Sequence, residues 1–306
     1  MKRMIGAIAK TIITAAAACA FTLPNGQNAS VKKVYKDGDT IVKADLAEPL
    51  WVRNDAYDDA FQIHNTVEFY ASGKIKTCNL VENKQLRHFS PYDFIIDHFR
   101  PIELYESGYL KSAYVKNETR FENVHKGYVT ISRGQKVTFF EKNILQTFYP
   151  AVDTFVYVKS LSGDKDEKIP VENHQLIELY DTGYVKSFTA ADKLSLQTAY
   201  GIVKTAPGKG QLIVYQNGIF GLITVGEISQ LTVSSTQIMI AASSTVAFYP
   251  TGKIMSLTAD SSEKKIVLDG TEYTKDSDQC MVFNFDEEGN VKETGTVSQL
   301  ELSLRN

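Results

Sequence analysis

The side chains able to do chemistry are few and scattered along this 306-residue chain. The five histidines are His64, His88, His98, His125 and His174. None forms a pair such as H-E-x-x-H, in which two imidazoles one helical turn apart hold zinc. His64 and His174 fall at the same place in an internal repeat but stand three repeats apart, so they read as loop or strand-surface histidines. No G-x-S-x-G elbow, P-loop or Cys/His nucleophile pattern occurs. Ala206-Pro207-Gly208-Lys209-Gly210 is glycine-rich, but a phosphate cradle needs a strand before it and a helix after it. The segment reads as a turn. Asp164, Asp166 and Glu167, and the run Asp286, Glu287 and Glu288, offer carboxylates without the spacing of a calcium loop. They read as solvated turns. No catalytic residue, cofactor site or metal site is therefore expected.

What recurs instead is a column of rings. Tyr35, Tyr70, Tyr105, Phe140, Tyr180, Tyr215 and Tyr249 each stand three residues before a Gly or Asn. Two uses fit them: a ladder that staples neighbouring hairpins by ring packing, or a platform for sugars or for a partner's apolar segment. Lysines Lys76, Lys111, Lys186 and Lys292, three residues after the same marker, flank the column.

The elements that must position the rings follow from the period. The marker residues are Gly38, Gly73, Gly108, Asn143, Gly183, Gly218, Gly252 and Gly289, at intervals of 35, 35, 35, 40, 35, 34 and 37. Positions are numbered below from this marker, G. Apolar residues stand at G−6 and G−4 (Val67 and Phe69, Ile102 and Leu104, Ile177 and Leu179), with Glu68, Glu103 and Glu178 between them. Alternation of this kind is a strand with one face buried. Apolar residues return at G+2 and G+5, as in Leu110 and Ala113. The unit is a β-hairpin whose short loop ends at a residue of positive φ, which Gly adopts without steric cost and Asn tolerates best among the rest. The remainder of each unit, such as Gly127-Tyr128-Val129-Thr130-Ile131, reads as a second, more variable hairpin. The 40-residue interval carries a polar insertion, Ser162 to Lys168. The first copy is polar around Lys32 and Lys33. The last reads as slipped by one loop residue, with Asp286 in the place of the ring. Both suit the ends of a stack. The expected fold is all-β: about eight tandem hairpin repeats over residues 31–306, forming one elongated sheet or solenoid-like array, with a β-propeller as the rival closure.

The N-terminus reads as an export signal over residues 1–20, followed by a flexible segment at 21–30. Lys2, Arg3 and Lys10 make a basic start, and Thr11 to Leu23 is an uncharged, mostly apolar stretch of 13 residues. That is too short to span a bilayer as a helix. Ala18-Cys19-Ala20 offers small residues for a signal peptidase. Ala16-Ala17-Ala18-Cys19 also loosely resembles a lipoprotein signal, which makes Cys19 a possible lipid anchor. Loss of residues 1–20 takes the net charge from −3 to −6, so nothing marks a nucleic-acid surface. Cys78 and Cys280, in the second and last repeats, are too far apart for a disulfide framework.

The phrases Phe69 to Lys76, Leu104 to Ser112, Leu179 to Ser187 and Phe248 to Ser256 resemble bacterial MORN-type repeats, over about ten residues of each copy. The period here is longer and the regular second Gly of that family is missing. The resemblance implies repeated hairpins in an elongated sheet. Its members act as scaffolds, membrane-associated platforms and proposed antitoxin components, and no functional residue carries over. The expected function is an exported, non-catalytic interaction or structural module of the bacterial envelope, in the periplasm, at the outer membrane or outside the cell. Its partner would be a protein or glycan and not nucleic acid. Carbohydrate binding by the ring column is the alternative, and a hydrolase assembled from loops of several repeats a third. Intact mass of the protein isolated from an exporting bacterial host separates the routes: cleavage leaves Phe21 first, and lipidation leaves an acylated Cys19. A retained Met1 would leave only an uncleaved anchor extending from Met4, which must bury Lys10.

Overall fold

The computed structural model describes the backbone of residues 10–86, 89, 94–123, 127–152, 154–161, 165–275 and 278–304. Lys2 and Arg3 of the signal, His88, His125 and residues 162–164 of the insertion lie outside the described residues. The chain is all-β and divides into two compact units, Met1–Ala151 and Val152–Asn306, with four copies of the repeat in each. The boundary falls within the 40-residue interval. Among the described residues every strand pair is antiparallel.

In the first unit, strands pair in the order Lys10–Thr22, Asn28–Asp37, Thr40–Leu46, Asp59–Phe69, Ile75–Leu80, Ile102–Leu104, Leu110–Tyr114, Lys136–Phe140 and Ile144–Phe148. In the second the order is Ile177–Leu179, Val185–Phe188, Leu212–Val214, Phe220–Thr224, Thr245–Phe248, Ile254–Ala259, Cys280–Phe285 and Val291–Val297. The apolar stretch at the N-terminus thus lies along the first hairpin as a strand. Residues 23–27 join the first two strands in a closed turn: Leu23 N–H donates to Gln27 O at 2.8 Å, and Leu23 is buried.

The repeat hairpin has one geometry. In copy three, Gly108 N–H donates to Tyr105 O at 2.9 Å and Tyr105 N–H to Tyr109 O at 2.8 Å. Copies two, five, six, seven and eight close in the same way. All eight marker residues have positive φ, from 59° at Gly38 to 100° at Gly289, with Asn143 at 65°. The eighth copy is not slipped: Phe285 pairs with Val291, as Phe69 pairs with Ile75, and its loop has the usual length. The first copy differs, since Asp37 pairs with Thr40 across Gly38 and Asp39. From the second copy on, G−4 faces G+2 while G−5 faces G+4, so residue G+3 is the extra residue of a bulge in seven consecutive hairpins. Lys76, Lys111, Lys186 and Lys292 are these bulge residues.

Second hairpins interleave with the first set: Leu50–Asn54 with the start of Asp59–Phe69, Thr119–Glu122 with Tyr128–Ile131, Thr154–Val158 with Glu167–Val171, Ser195–Thr198 with Gly201–Lys204, Ser229–Val233 with Thr236–Ile240, and Lys265–Leu268 with Thr271–Thr274. The core lies between the two sets. Phe139 of a repeat hairpin meets Phe121 of a second hairpin at 5.5 Å between centroids, with Phe89 and Phe94 at 5.4 and 5.7 Å. In the other unit Tyr273 meets Phe283 edge-on at 5.3 Å.

The turn at Pro24 and the tips near Ala56 and Lys159 each reach a repeat turn further along, and there the Gly meets a second demand. A Cβ on Gly73 would lie 2.4 Å from Pro24 O, and one on Gly218 only 2.1 Å from Lys159 O. A Cβ on Gly289 would meet nothing within 4 Å. Ala in either kind of site bears the backbone cost of a left-handed residue, about 1–3 kcal/mol. Gly73→Ala must also displace the Pro24 backbone. Urea denaturation is expected to show Gly73→Ala destabilised clearly more than Gly289→Ala; equal losses would mean that the close approach does not matter.

Candidate functional site

The outer face of the repeat sheet is built by the turn and the bulge together. The bulge aims residue G+3 to the side of the sheet where the G−3 ring lies. Gly221, the bulge residue of copy six, shows the contact: a Cβ there would lie 2.8 Å from Cε2 of Tyr215. The ring therefore crosses its own returning strand at the bulge. In copies two and three the bulge lysine takes that place, with Lys76 Nζ 5.9 Å from the Tyr70 centroid and Lys111 Nζ 5.8 Å from the Tyr105 centroid.

Having crossed the returning strand, the hydroxyl reaches the next hairpin. Tyr70 donates to Leu104 O at 2.8 Å, Tyr105 to Phe139 O at 2.8 Å, Tyr180 to Val214 O at 3.0 Å, Tyr215 to Phe248 O at 3.0 Å and Tyr249 to Phe285 O at 2.8 Å. Each acceptor is the G−4 carbonyl one repeat on. Phe140 has no hydroxyl to donate, and Tyr35, in the differing first copy, donates to Asp45 Oδ2 at 3.0 Å. In copy eight Asp286 stands at the ring position. Its Oδ1 accepts from the N–H groups of Gly289 and Asn290, both at 2.8 Å, so it closes its own turn rather than reaching onward. Those bonds, with the Asn290 side chain first, hold its carboxyl below the ordinary range. All seven rings of the column are half-buried.

Beside the rings runs a lateral row. In the first unit Lys43, Glu68, Thr77, Glu103, Ser112, Thr138 and Thr147 are successive cross-strand partners. In the second the row is Glu178, Ser187, Ile213, Leu222, Ala247, Ser256, Asn284 and Glu293, apolar in the middle. Lys136 Nζ stands 2.9 Å and Lys111 Nζ 3.9 Å from Glu103, and Lys186 Nζ is 2.8 Å from Glu178. The Lys136 hydrogen bond is the main reason that the Glu103 carboxyl is held below its usual value. Such half-exposed pairs add little stability each. Their consequence is a polar strip of alternating charge beside a row of rings.

The other residues singled out by type do not converge. Among the described residues no three His, Cys, Asp or Glu come together as a metal set. His98 Nδ1 lies 2.9 Å from Asn83 Oδ1, and His64 sits opposite Asn79 in a strand pair. Asp166 accepts from Tyr184 Oη at 3.1 Å. Gly208 and Gly210 take φ of 63° and 72°, with no helix after them. Cys78 and Cys280 are free and buried, and burial pushes the Cys78 thiol up to about 12. Sequence patterns missed Tyr57 and Tyr200, which lie outside the column. Tyr57, 1% exposed, accepts from Leu110 N–H at 2.8 Å and donates to Asn143 Oδ1, and Tyr200 accepts from Ile254 N–H at 3.0 Å. Both cap the amide two residues past a turn Gly. The signal for them was a lone Tyr near the tip of a second hairpin.

Desolvation raises the folded-state pKa of Tyr70, Tyr105 and Tyr180 above the ordinary 10.0. Tyr105→Phe removes one hydroxyl and leaves Phe139 O without that donor, at a cost of about 0.5–1.5 kcal/mol in urea denaturation. Above pH 10 the unfolded chain releases tyrosine protons that the folded chain keeps, so the stapling contribution is full below that pH and is lost as the pH climbs toward the raised folded value. The variant should therefore lose less stability than the parent between pH 9 and 11, and parallel curves would disprove the coupling. No protein-family model and no curated protein matches the sequence with significance, and what this face does must be argued from its geometry.

Proposed function

We propose that the chain is an exported, non-catalytic β-repeat protein, an interaction module of a bacterial envelope that meets its partner through the outer face of the repeat sheet. The observation that carries this reading is the recurrence of one surface unit: a half-buried ring at G−3 in seven copies, tied to the next hairpin by its hydroxyl in five of them, with a bulge residue beside it and a lateral row that is polar in the first unit and at both ends of the second. A surface that repeats in this way offers many equivalent weak contacts rather than one point of convergence. Binding by addition of such contacts suits an extended or polymeric partner. The resemblance to MORN-type repeats, whose members serve as scaffolds and membrane-associated platforms, supports it. The N-terminal pattern supports export, and no described helix is long and apolar enough to cross a membrane.

A glycan is the partner class that the rings favour. Each repeat advances the sheet by two strands, or about 10 Å from the usual interstrand spacing, so successive rings stand about two sugar residues apart along an extended glycan. Charge reversal of the bulge lysines, Lys76→Glu with Lys111→Glu, tests the face without touching the core. Co-sedimentation with isolated envelope fractions and with insoluble peptidoglycan should weaken at least tenfold while the thermal midpoint stays unchanged. Undiminished binding would move the interaction off this face. Turnover of any envelope polymer that a single substitution abolishes would sink the non-catalytic reading.

A further inference from the structure

In the second unit a cleft of about 750 Å³ opens beside the turns of copies six and seven. That volume lies in the range of small-molecule sites. One wall is the second hairpin that carries the insertion, with Lys159 and Lys165; the floor includes Leu196, Phe220 and Phe248.

The repeat explains why the space is empty. In copies three and seven a tyrosine from the tip of a second hairpin plugs this position. Tyr57 and Tyr200 pack there and their hydroxyls accept from Leu110 N–H and Ile254 N–H, the residue at G+2 in each case. The G+2 residue of copy six is Phe220, which lines the cleft. The tip that approaches this turn is the inserted one. Its Lys159 carbonyl presses on Gly218, yet none of residues 158–167 is aromatic. The described residues of this tip that line the cleft, Val158 to Leu161, Lys165 and Glu167, bring no tyrosine to the position.

The vacated position is shaped for a flat ring that bears an acceptor oxygen. Two lysines stand beside it. Lys159 and Lys165 are exposed, and among the described residues neither has a carboxylate partner. Among the described residues of the lining Glu167 is the one acid, and the neighbouring Asp166 is bound to Tyr184 Oη. A buried aromatic floor disfavours a wholly polar ligand, and the two cations favour an anion.

We propose that this cleft binds a small aromatic carboxylate, whose ring takes the place of the missing tyrosine and whose anionic oxygens meet Lys159 and Lys165. The site is separate from the outer sheet face and stands or falls independently of it. The probe is 4-hydroxyphenylacetate, titrated calorimetrically into the full chain, with amide shifts followed by NMR. Saturable binding is expected, with shifts centred on Gly218, Phe220 and Gly252. Lys159→Glu with Lys165→Glu, both on exposed side chains, should weaken it at least tenfold. Glucuronate, an acid without an aromatic ring, and octanoate, an acid without a ring, are the comparisons. Tighter binding of either would overturn the aromatic class. Absence of saturation, shifts confined to the first unit, or indifference to the lysine reversal would each overturn the site.

Discussion

One extra residue on the returning strand governs the construction of this protein. The four-residue loop closed by a left-handed Gly or Asn sets G−4 opposite G+2, and the bulge at G+3 then restores the register with G−5 opposite G+4. The ring at G−3 lies across that bulge and carries its hydroxyl to the carbonyl one repeat on. A lone hairpin is marginal in water. Here each hairpin's turn is also the device that binds its neighbour, so local geometry and the joint between repeats cannot be altered separately. Five such bonds occur at about 0.5–1.5 kcal/mol each, a substantial share of the joint energy in an array whose stability is a sum of units and interfaces.

The same turn explains why Gly persists where positive φ alone would admit Asn. At Gly73 and Gly218 a neighbouring backbone carbonyl fills the space of a Cβ. At Asn143 the side chain has a use: it accepts from Tyr57, whose oxygen also serves Leu110. A position that looks uniform in the sequence answers three different local demands.

The hairpins, their turns and the buried alternation were legible because each follows from short-range rules: period two, a loop residue of positive φ, and a repeated phrase. Other features were hidden for physical reasons. The bulge leaves no mark in composition, because Lys, Gln, Gly and Met all serve at G+3. The hydroxyl bonds span one repeat, and only the preference for Tyr over Phe hinted at them. Ring stacking seemed sufficient, yet the spacing between repeats leaves the hydroxyl rather than the ring face to make the joint. Asp286 looked like a slip because the ring was missing, but the backbone register needs only the Gly. The division at Ala151 and Val152 has no change of composition to announce it. Of the outer face, the rings and lysines could be named in advance, though not the polar row that binds them into a strip. The cleft was invisible except as five residues too many.

Repetition and exception divide the work. A residue that recurs in every copy is first required by the copy: the Gly by its turn, the apolar pair by the core, the Tyr by the next hairpin. Recognition through such residues is bound to be additive and broad, because any change that sharpens one contact disturbs a joint. Selective chemistry needs residues that the repeat does not require. They arise where a copy departs from the pattern without losing its register, and the fourth interval does this. It keeps the turns at Asn143 and Gly183 while it brings Lys159 and Lys165 beside the Gly218 turn, where the tips that carry Tyr57 and Tyr200 bring a tyrosine to theirs. The array thus supplies rigidity to a site that it does not itself encode.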